Sequence, residues 1–182
     1  MAATISIRFR VATMDDLPAL HALIEASVRG LQTKEYSQAQ IDGALGNALG
    51  LDTQLVLDGT YFIAENDAGV MMGCGGWSYR RTLFGADGAQ SRESTLLDPA
   101  TDAAKIRAIF VSPQFARQGV GSAILEYCEE AARAAGFTRA EMGSTLTGVP
   151  LYTLKGYVAQ KAVDVPLPNG ETLPVVHMTK AL

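Results

Sequence analysis

The chain has 182 residues, 48% of them apolar and 19% charged, with a net charge of −4. This is the composition of a globular domain with enough residues for a sizeable core, and it excludes a disordered chain. The mild acidic excess argues against a nucleic-acid partner, which needs a basic footprint, and no apolar run reaches the length of a membrane span.

In chain order, Ile5, Ile7, Phe9 and Val11 alternate with polar residues and predict a first strand over 5–12. Thr13 is a candidate N-cap with Asp15 and Asp16 in the first turn. Leu17, Leu20, Leu23, Ile24 and Val28 then mark one helix face to about Arg29, with Gly30 after it. A weaker helix is read over 36–49, capped by Ser37, with Gly43 and Gly46 against it. Strands follow at 61–65 and at 70–79, the second continuing toward Leu83. Gly73, Gly75 and Gly76 are costly in a strand unless another group needs close approach.

Residues 84–103 show no periodicity, and a loop of that length in a compact domain usually has a function or is disordered. Residues 106–111 form a mostly apolar strand stopped by Ser112-Pro113. A long amphipathic helix runs from Val120, with Gly136 suited to its C′ position. A strand at 140–144 lies parallel to the strand before that helix, because the helix is a crossover. A short helix is read within 147–155. Two last strands, 157–166 and 173–181, flank Asn169-Gly170, a strong hairpin signal. The order βααβββαβαββ makes a single α/β (α+β) domain over 1–182, a mixed, mostly antiparallel sheet with helices on its faces. Cys74 and Cys128 have no metal-ligand or disulfide spacing and read as small buried hydrophobes, so no metal is expected. The first residues lack the apolar centre of a secretory leader, and a cytoplasmic location is the expectation.

The stretch 105–137 carries the chemistry. After Arg117 and Gln118 come Gly119, Val120, Gly121 and Ser122, at the start of the long helix. The first amides of a helix have no internal partner and sit at the positive end of its dipole. Glycines there let an anion approach those amides, which suits a pyrophosphate. Taken alone, the same pattern also fits a tight strand-to-helix turn. The third glycine of a dinucleotide fingerprint and the Lys-Ser/Thr of a P-loop are both missing.

This order of elements, with the glycine turn at its middle, resembles the GNAT superfamily of acetyl-CoA-dependent N-acetyltransferases over nearly the whole chain. The family signature is Arg or Gln, two residues, Gly, one residue, then Gly or Ala. Residues 116–121 follow it from Arg117 on, with Ala116 at the first position. LYTLKGY, residues 151–157, is similar to the family's Leu-Tyr-x-x-x-Gly-Phe element, with Tyr157 in place of Phe. VVHMTKAL at the end is similar to its usual final strand.

The resemblance implies that the two parallel strands splay apart and admit the pantetheine arm of acetyl-CoA. It implies backbone pairing of Ile109, Phe110 and Val111 with pantetheine amides. It also implies a pyrophosphate on Arg117, Gln118, Gly119, Val120, Gly121 and Ser122. An amine of a small molecule or peptide would attack the thioester directly, with Tyr152 as general acid for the thiolate and a strand N–H of Phe110 or Val111 for the oxyanion. The family's glutamate base does not transfer, because Lys105 and Arg107 stand where it would be. Glu93, Asp98 and Asp102 in the long loop read as solvated carboxylates and His177 as a structural strand histidine, a water chain to bulk serves equally well, and no base is assigned. The resemblance also implies an acceptor pocket of Leu31, Tyr36, Trp77, Tyr79 and the loop 84–103, with Arg80 and Arg81 nearby; the alternative is that Trp77 fills core and the arginines are solvated. A membrane partner is not expected, and a homodimer is allowed for. The competing readings are a non-catalytic acyl-CoA sensor, which need not keep Tyr152, and transfer of another acyl group.

Overall fold

The computed structural model describes residues 5–89 and 92–182. Seven strands form one sheet: β1 (Arg8–Val11), β2 (Tyr61–Glu65), β3 (Met71–Ser78), β4 (Ala104–Val111), β5 (Arg139–Thr145), β6 (Val158–Pro166) and β7 (Thr172–Ala181). Their order is β1-β2-β3-β4-β5-β7-β6. Every neighbouring pair is antiparallel except β4 and β5. The helices are α1 (Leu17–Leu31), α2 (Gln38–Ala44), α3 (Thr53–Leu57), α4 (Val120–Ala134) and α5 (Val149–Leu154). No described helix is long and apolar enough to cross a membrane.

The expected hairpin, crossover helix and parallel pair are all present. The differences from the sequence reading are local and each has a cause. β1 starts at Arg8 because its partner β2 ends at Glu65, so residues 5–7 have no strand to pair with. α1 runs through Gly30 to Leu31 instead of ending before the glycine. A Cβ at Gly30 would lie 2.8 Å from Cγ of Pro113, so the glycine lets α1 approach the turn after β4. α2 is shorter than 36–49, because Gly46 turns the chain with a φ of +79°. Its start is as expected, with Ser37 Oγ accepting from Gln40 N at 3.1 Å and Gln40 Oε1 accepting from Ser37 N at 2.9 Å. α3 was not anticipated, since five residues are too few to show a period. β3 stops at Ser78 rather than running on to Leu83, and a single bridge joins Arg80 to Leu96 beyond it.

The core has two halves, one on each sheet face. α1, α2 and α3 bury Leu20, Ile24, Val28, Ile41 and Leu55 against Tyr61, Ile63, Phe110 and Leu173. α4 buries Ile124, Leu125 and Cys128 against Met72, Trp77, Ile106 and Met178. Two of the three β3 glycines have their explanation here. A Cβ at Gly73 or Gly75 would fall 2.8 or 2.6 Å from Ile124, so α4 lies directly on β3. Each fully buried Leu or Ile side chain contributes roughly 1.5–3 kcal/mol.

Candidate active site

β4 and β5 are paired at Ala104–Ala140 and Lys105–Glu141 and nowhere beyond. The reason lies on the other side of β4. Against β3, Arg107 faces Gly76 and Phe110 faces Cys74, so Ala108 and Ile109 together stand opposite Gly75. This is a β-bulge, which bends its strand. Ala108 takes a φ of +52°, unusual for a side chain with a Cβ. Its carbonyl accepts from the hydroxyl of fully buried Tyr61 at 2.8 Å, which holds the bulge from beneath. From Ile106 to Val111 the edge of β4 facing β5 has no strand partner among the described residues. The resulting slot, about 80 Å³, is lined by Ile109 and Phe110 on one side, Met142 and Ser144 on the other, and Tyr152.

The glycine turn stands beside this split. Arg117 and Gly119 both take left-handed conformations, φ +62° and +86°, and Gly119 is the residue before the first turn of α4. A Cβ on Gly119 would meet nothing within 4 Å, so its requirement is conformational and the space in front of it is open. Gly121 is different. Its Cβ would lie 3.3 Å from Leu151 and 3.6 Å from Val111, so it wedges α4 between the end of β4 and α5. Ala123 N donates to the Gly119 carbonyl at 3.0 Å, which leaves the amides before it outside the helix ladder. Arg117 is exposed, and the Gln118 side chain donates to the Gln114 carbonyl at 3.1 Å.

Tyr152 is half-buried on α5, with its ring edge-on to Tyr157 at 6.0 Å. Its ring lies against Gly148, where an added Cβ would sit 2.7 Å from Cε2. Burial pushes the phenol above its ordinary value. The group therefore holds its proton through the neutral range and is available as a proton donor.

The three expected acceptor-pocket aromatics are not brought together. Trp77 is 5% exposed and packs edge-on to Phe137 at 5.8 Å, on the α4 face of the sheet. A side chain at alternate strand positions points to one face, and Trp77 falls on the face away from α1 and α2. Tyr79 packs on Trp77, with the Arg80 guanidinium 5.3 Å from its ring centre. Tyr36 is buried, and its hydroxyl donates to Pro174 O at 2.7 Å and accepts from Leu146 N at 2.9 Å. It ties the segment after α1 to β7 and to the turn after β5. Arg80 is held by Asp58 through two bonds of 2.7 and 2.8 Å.

Glu93, Asp98 and Asp102 do not line the slot. Asp98 and Asp102 serve the turn before β4, where Asp98 N donates to Asp102 at 2.8 Å. His177 Nε2 is 2.8 Å from Glu141 Oε2, and Glu141 also receives Lys105.

The structure adds residues that the sequence reading missed. Arg107 is 3% exposed and donates to Asp52 at 3.0 Å, Gly85 O at 2.7 Å and Thr82 O at 3.1 Å. It pins the long loop so that Leu83, Phe84 and Gly85 reach the slot. Gln32 also lines the slot. One signal for it existed: Gln32 falls four residues after Val28, a polar side chain on the apolar stripe of α1.

Solved structures share this architecture. A GCN5-related N-acetyltransferase from Rhodopseudomonas palustris aligns over 100% of this chain and 98% of its own, with a TM-score of 0.71 and 21% identity. The PaiA N-acetyltransferase of Thermoplasma acidophilum, in complex with coenzyme A, aligns over 98% and 100%, with a TM-score of 0.65 and 12% identity. YncA from Salmonella typhimurium, with its cofactor acetyl-CoA, aligns over 97% and 94%, with a TM-score of 0.64 and 17% identity. At these identities the likeness is one of fold. No curated protein matches the chain by sequence. The model of the acetyltransferase (GNAT) family matches residues 26–155, from α1 through the split strands and the glycine turn to α5, and the chain belongs to that family.

Proposed function

We propose that the split between β4 and β5 seats the pantetheine arm of acetyl-CoA, with the free edge of Ile109, Phe110 and Val111 as its strand partner. The open amides of Gly119, Val120, Gly121 and Ser122 take the pyrophosphate, and Arg117 and Gln118 stand at the rim. The protein is an acetyl-CoA-dependent N-acetyltransferase of the GNAT family, and its acceptor is a primary amine of a small molecule or peptide. The complexes of PaiA with coenzyme A and of yncA with acetyl-CoA support the choice of co-substrate. We place the enzyme in the cytoplasm, where its two unpaired cysteines, Cys74 and Cys128, are stable.

The neutral amine attacks the thioester carbon, and the carbonyl electrons move onto oxygen. A strand N–H, that of Phe110 or Val111, holds the oxyanion. As the tetrahedral intermediate collapses, the C–S bond breaks and Tyr152 gives its proton to the leaving sulfur. The attacking nitrogen releases its proton to solvent water and the Tyr152 phenolate takes one back from it, so one amine proton is lost for the one gained at sulfur. Burial keeps the Tyr152 phenol above the ~10 of an ordinary phenol, so it is still protonated when the sulfur, whose thiol ordinarily titrates near ~8.5, leaves as thiolate. Holding amine and thioester together supplies much of the remaining acceleration.

The observation that carries this reading is the split itself, which leaves a polar strand edge unpaired inside a fold that pairs its other strands. The test is calorimetric binding of coenzyme A together with a thiol-release assay on acetyl-CoA and a panel of amines. Tyr152→Phe should bind coenzyme A as the wild type does and lose roughly a hundredfold in kcat. Failure of the wild type to bind coenzyme A would sink the reading. Binding without turnover of any amine would point to an acyl-CoA sensor instead.

A further inference from the structure

Tyr61 reaches β4 from two strands away. It stands on β2 opposite Gly76 of β3, and a Cβ at Gly76 would lie 2.8 Å from Tyr61 Cδ2, so the ring crosses β3 where no side chain stands. The ring is fully buried in the core half that α1, α2 and α3 cover. Its hydroxyl donates to the Ala108 carbonyl at 2.8 Å and lies 3.3 Å from Cys74 Sγ. On the α4 face, a Cβ at Gly75 would lie 2.8 Å from Cγ1 of Ile109, so the Ile109 side chain is seated over that glycine. The two bulge residues are thus held from both faces of the sheet, and Ala108 keeps its φ of +52°. A conformation that disfavours a side chain persists only where its surroundings fix it.

A peptide unit is planar and trans, so its N–H points opposite to its C=O. The Ala108 carbonyl turns toward Tyr61, on the β2 side of β4. The Ile109 N–H therefore turns the other way, toward β5. There β4 has no strand partner beyond Lys105, and Ile109 borders the slot. Ile109 has no paired residue in β3 or in β5. Without the hydroxyl, nothing opposes rotation of the Ala108–Ile109 peptide toward an ordinary φ, which would swing this amide off its direction. Of Ile109, Phe110 and Val111, Ile109 is the nearest to the last β4–β5 pair and the farthest along the chain from Gly119. An acyl group at the end of a pantetheine arm that starts from a pyrophosphate at Gly119 arrives at this end of the free edge.

We propose that Tyr61 is a positioning residue for acetyl transfer: its hydroxyl fixes the Ala108–Ile109 peptide so that the Ile109 amide donates to the thioester oxygen, beside the downstream strand amide. This inference rests on the reading of the slot as the acetyl-CoA site. Tyr61 itself touches no substrate. As the amine attacks, negative charge grows on the thioester oxygen, and a donor already aimed at it has no reorientation to make.

The test uses the full chain with acetyl-CoA and the amine panel of the thiol-release assay. Tyr61→Phe keeps the ring and removes the hydroxyl. Its kcat should fall roughly tenfold or more, with the coenzyme A Kd held within about threefold and the thermal midpoint only a few degrees lower. Cys74→Ala changes the same buried wall, leaves the bond to Ala108, and should hold kcat within about threefold of the wild type. In protein labelled at isoleucine, the Ile109 amide proton should move downfield with acetyl-CoA and not with S-ethyl coenzyme A, which lacks the carbonyl. That acetyl-specific shift should shrink in Tyr61→Phe. An unchanged kcat in Tyr61→Phe overturns the proposal. So does an equal kcat loss in Cys74→Ala, which would assign the effect to core packing. A coenzyme A Kd weakened as much as kcat overturns it too, making Tyr61 a support of the pantetheine strand alone. A Tyr61→Phe chain that does not fold overturns it, since the hydroxyl would then serve stability. An Ile109 amide that responds alike to both ligands overturns it even where no amine turns over. Each of these failures leaves the coenzyme site standing, whereas absence of coenzyme A binding to the wild type removes both.

Discussion

A carbon added at position 148 would lie 2.7 Å from Cε2 of Tyr152 and 3.0 Å from Oγ of Ser144. Gly148 has φ −80°, a conformation that any residue adopts, so the constraint there is space alone. Gly148→Ala should therefore fold normally and push the Tyr152 ring off its seat. On the role proposed for Tyr152, a displacement of that size costs roughly tenfold to a hundredfold in kcat. Steady-state kinetics beside coenzyme A titration would check it: kcat should drop and the Kd stay within twofold. An equal kcat would mean that the ring position is not critical. At this scale LYTLKGY singles out Tyr152, and the fold places that residue beside the slot. Its neighbour is not singled out, because the contact of Gly148 with the ring depends on how α5 turns. Gln32 left only the faint trace of a polar residue on an apolar stripe, and whether its oxygen finds a partner depends on every segment around it.

The loop between β3 and β4 is the element whose role changed most. It shows no period, and its carboxylates read as solvated loop groups, with no base assigned among them. In the fold Asp98 and Asp102 serve the turn before β4, and the segment is organised by Arg107 from β4. Arg107 and Asp52 have side chains only 2% exposed, and Asp52 also receives Arg92. Removing one partner of a buried pair strands the other charge and costs about 3–5 kcal/mol. Asp52→Asn keeps an N-cap oxygen for α3, so it isolates the ion pair from the cap. Its urea midpoint should fall by an amount corresponding to that loss. Phe84 and Gly85 should also loosen at the slot, raising the amine KM. A variant as stable as the wild type would show that Arg107 is satisfied by the carbonyls of Thr82 and Gly85 alone. Neither residue of the pair announces the other, since they are 55 positions apart. The bulge in β4 is equally invisible in IRAIFV, because it is a mismatch of register with β3.

For the whole molecule, paired carboxylates and buried thiols set the pH range of stability. Hydrogen bonds from Arg10 hold the Asp16 carboxyl at about 2, and Arg80 holds Asp58 below its usual range. The folded state thus releases these protons more readily than the unfolded chain. Their stabilisation is complete above about pH 4 and is lost as pH falls toward 2. Burial raises the Cys74 thiol to about 12, so the folded state keeps a proton that the unfolded chain gives up. That contribution is complete below about pH 8 and is lost as pH rises toward 12. Urea midpoints between pH 2 and 11 should show a plateau flanked by two falls. Asp16→Asn should flatten part of the acid side, and an unchanged acid limb would mean that the Arg10 pair is worth little in solution.

The sequence by itself determined the strands and helices with strong periods, the order of elements, the tight hairpin and the glycine turn that opens α4. These follow from neighbours along the chain, where a period of two or near four, a cap or a turn residue acts over a few positions. Only the tertiary structure decided where β4 and β5 part, which face Trp77 occupies, and how Gln32, Phe84 and Tyr152 come to border one slot. Those features arise from register between strands and from burial against segments far away in sequence, and no local pattern encodes either.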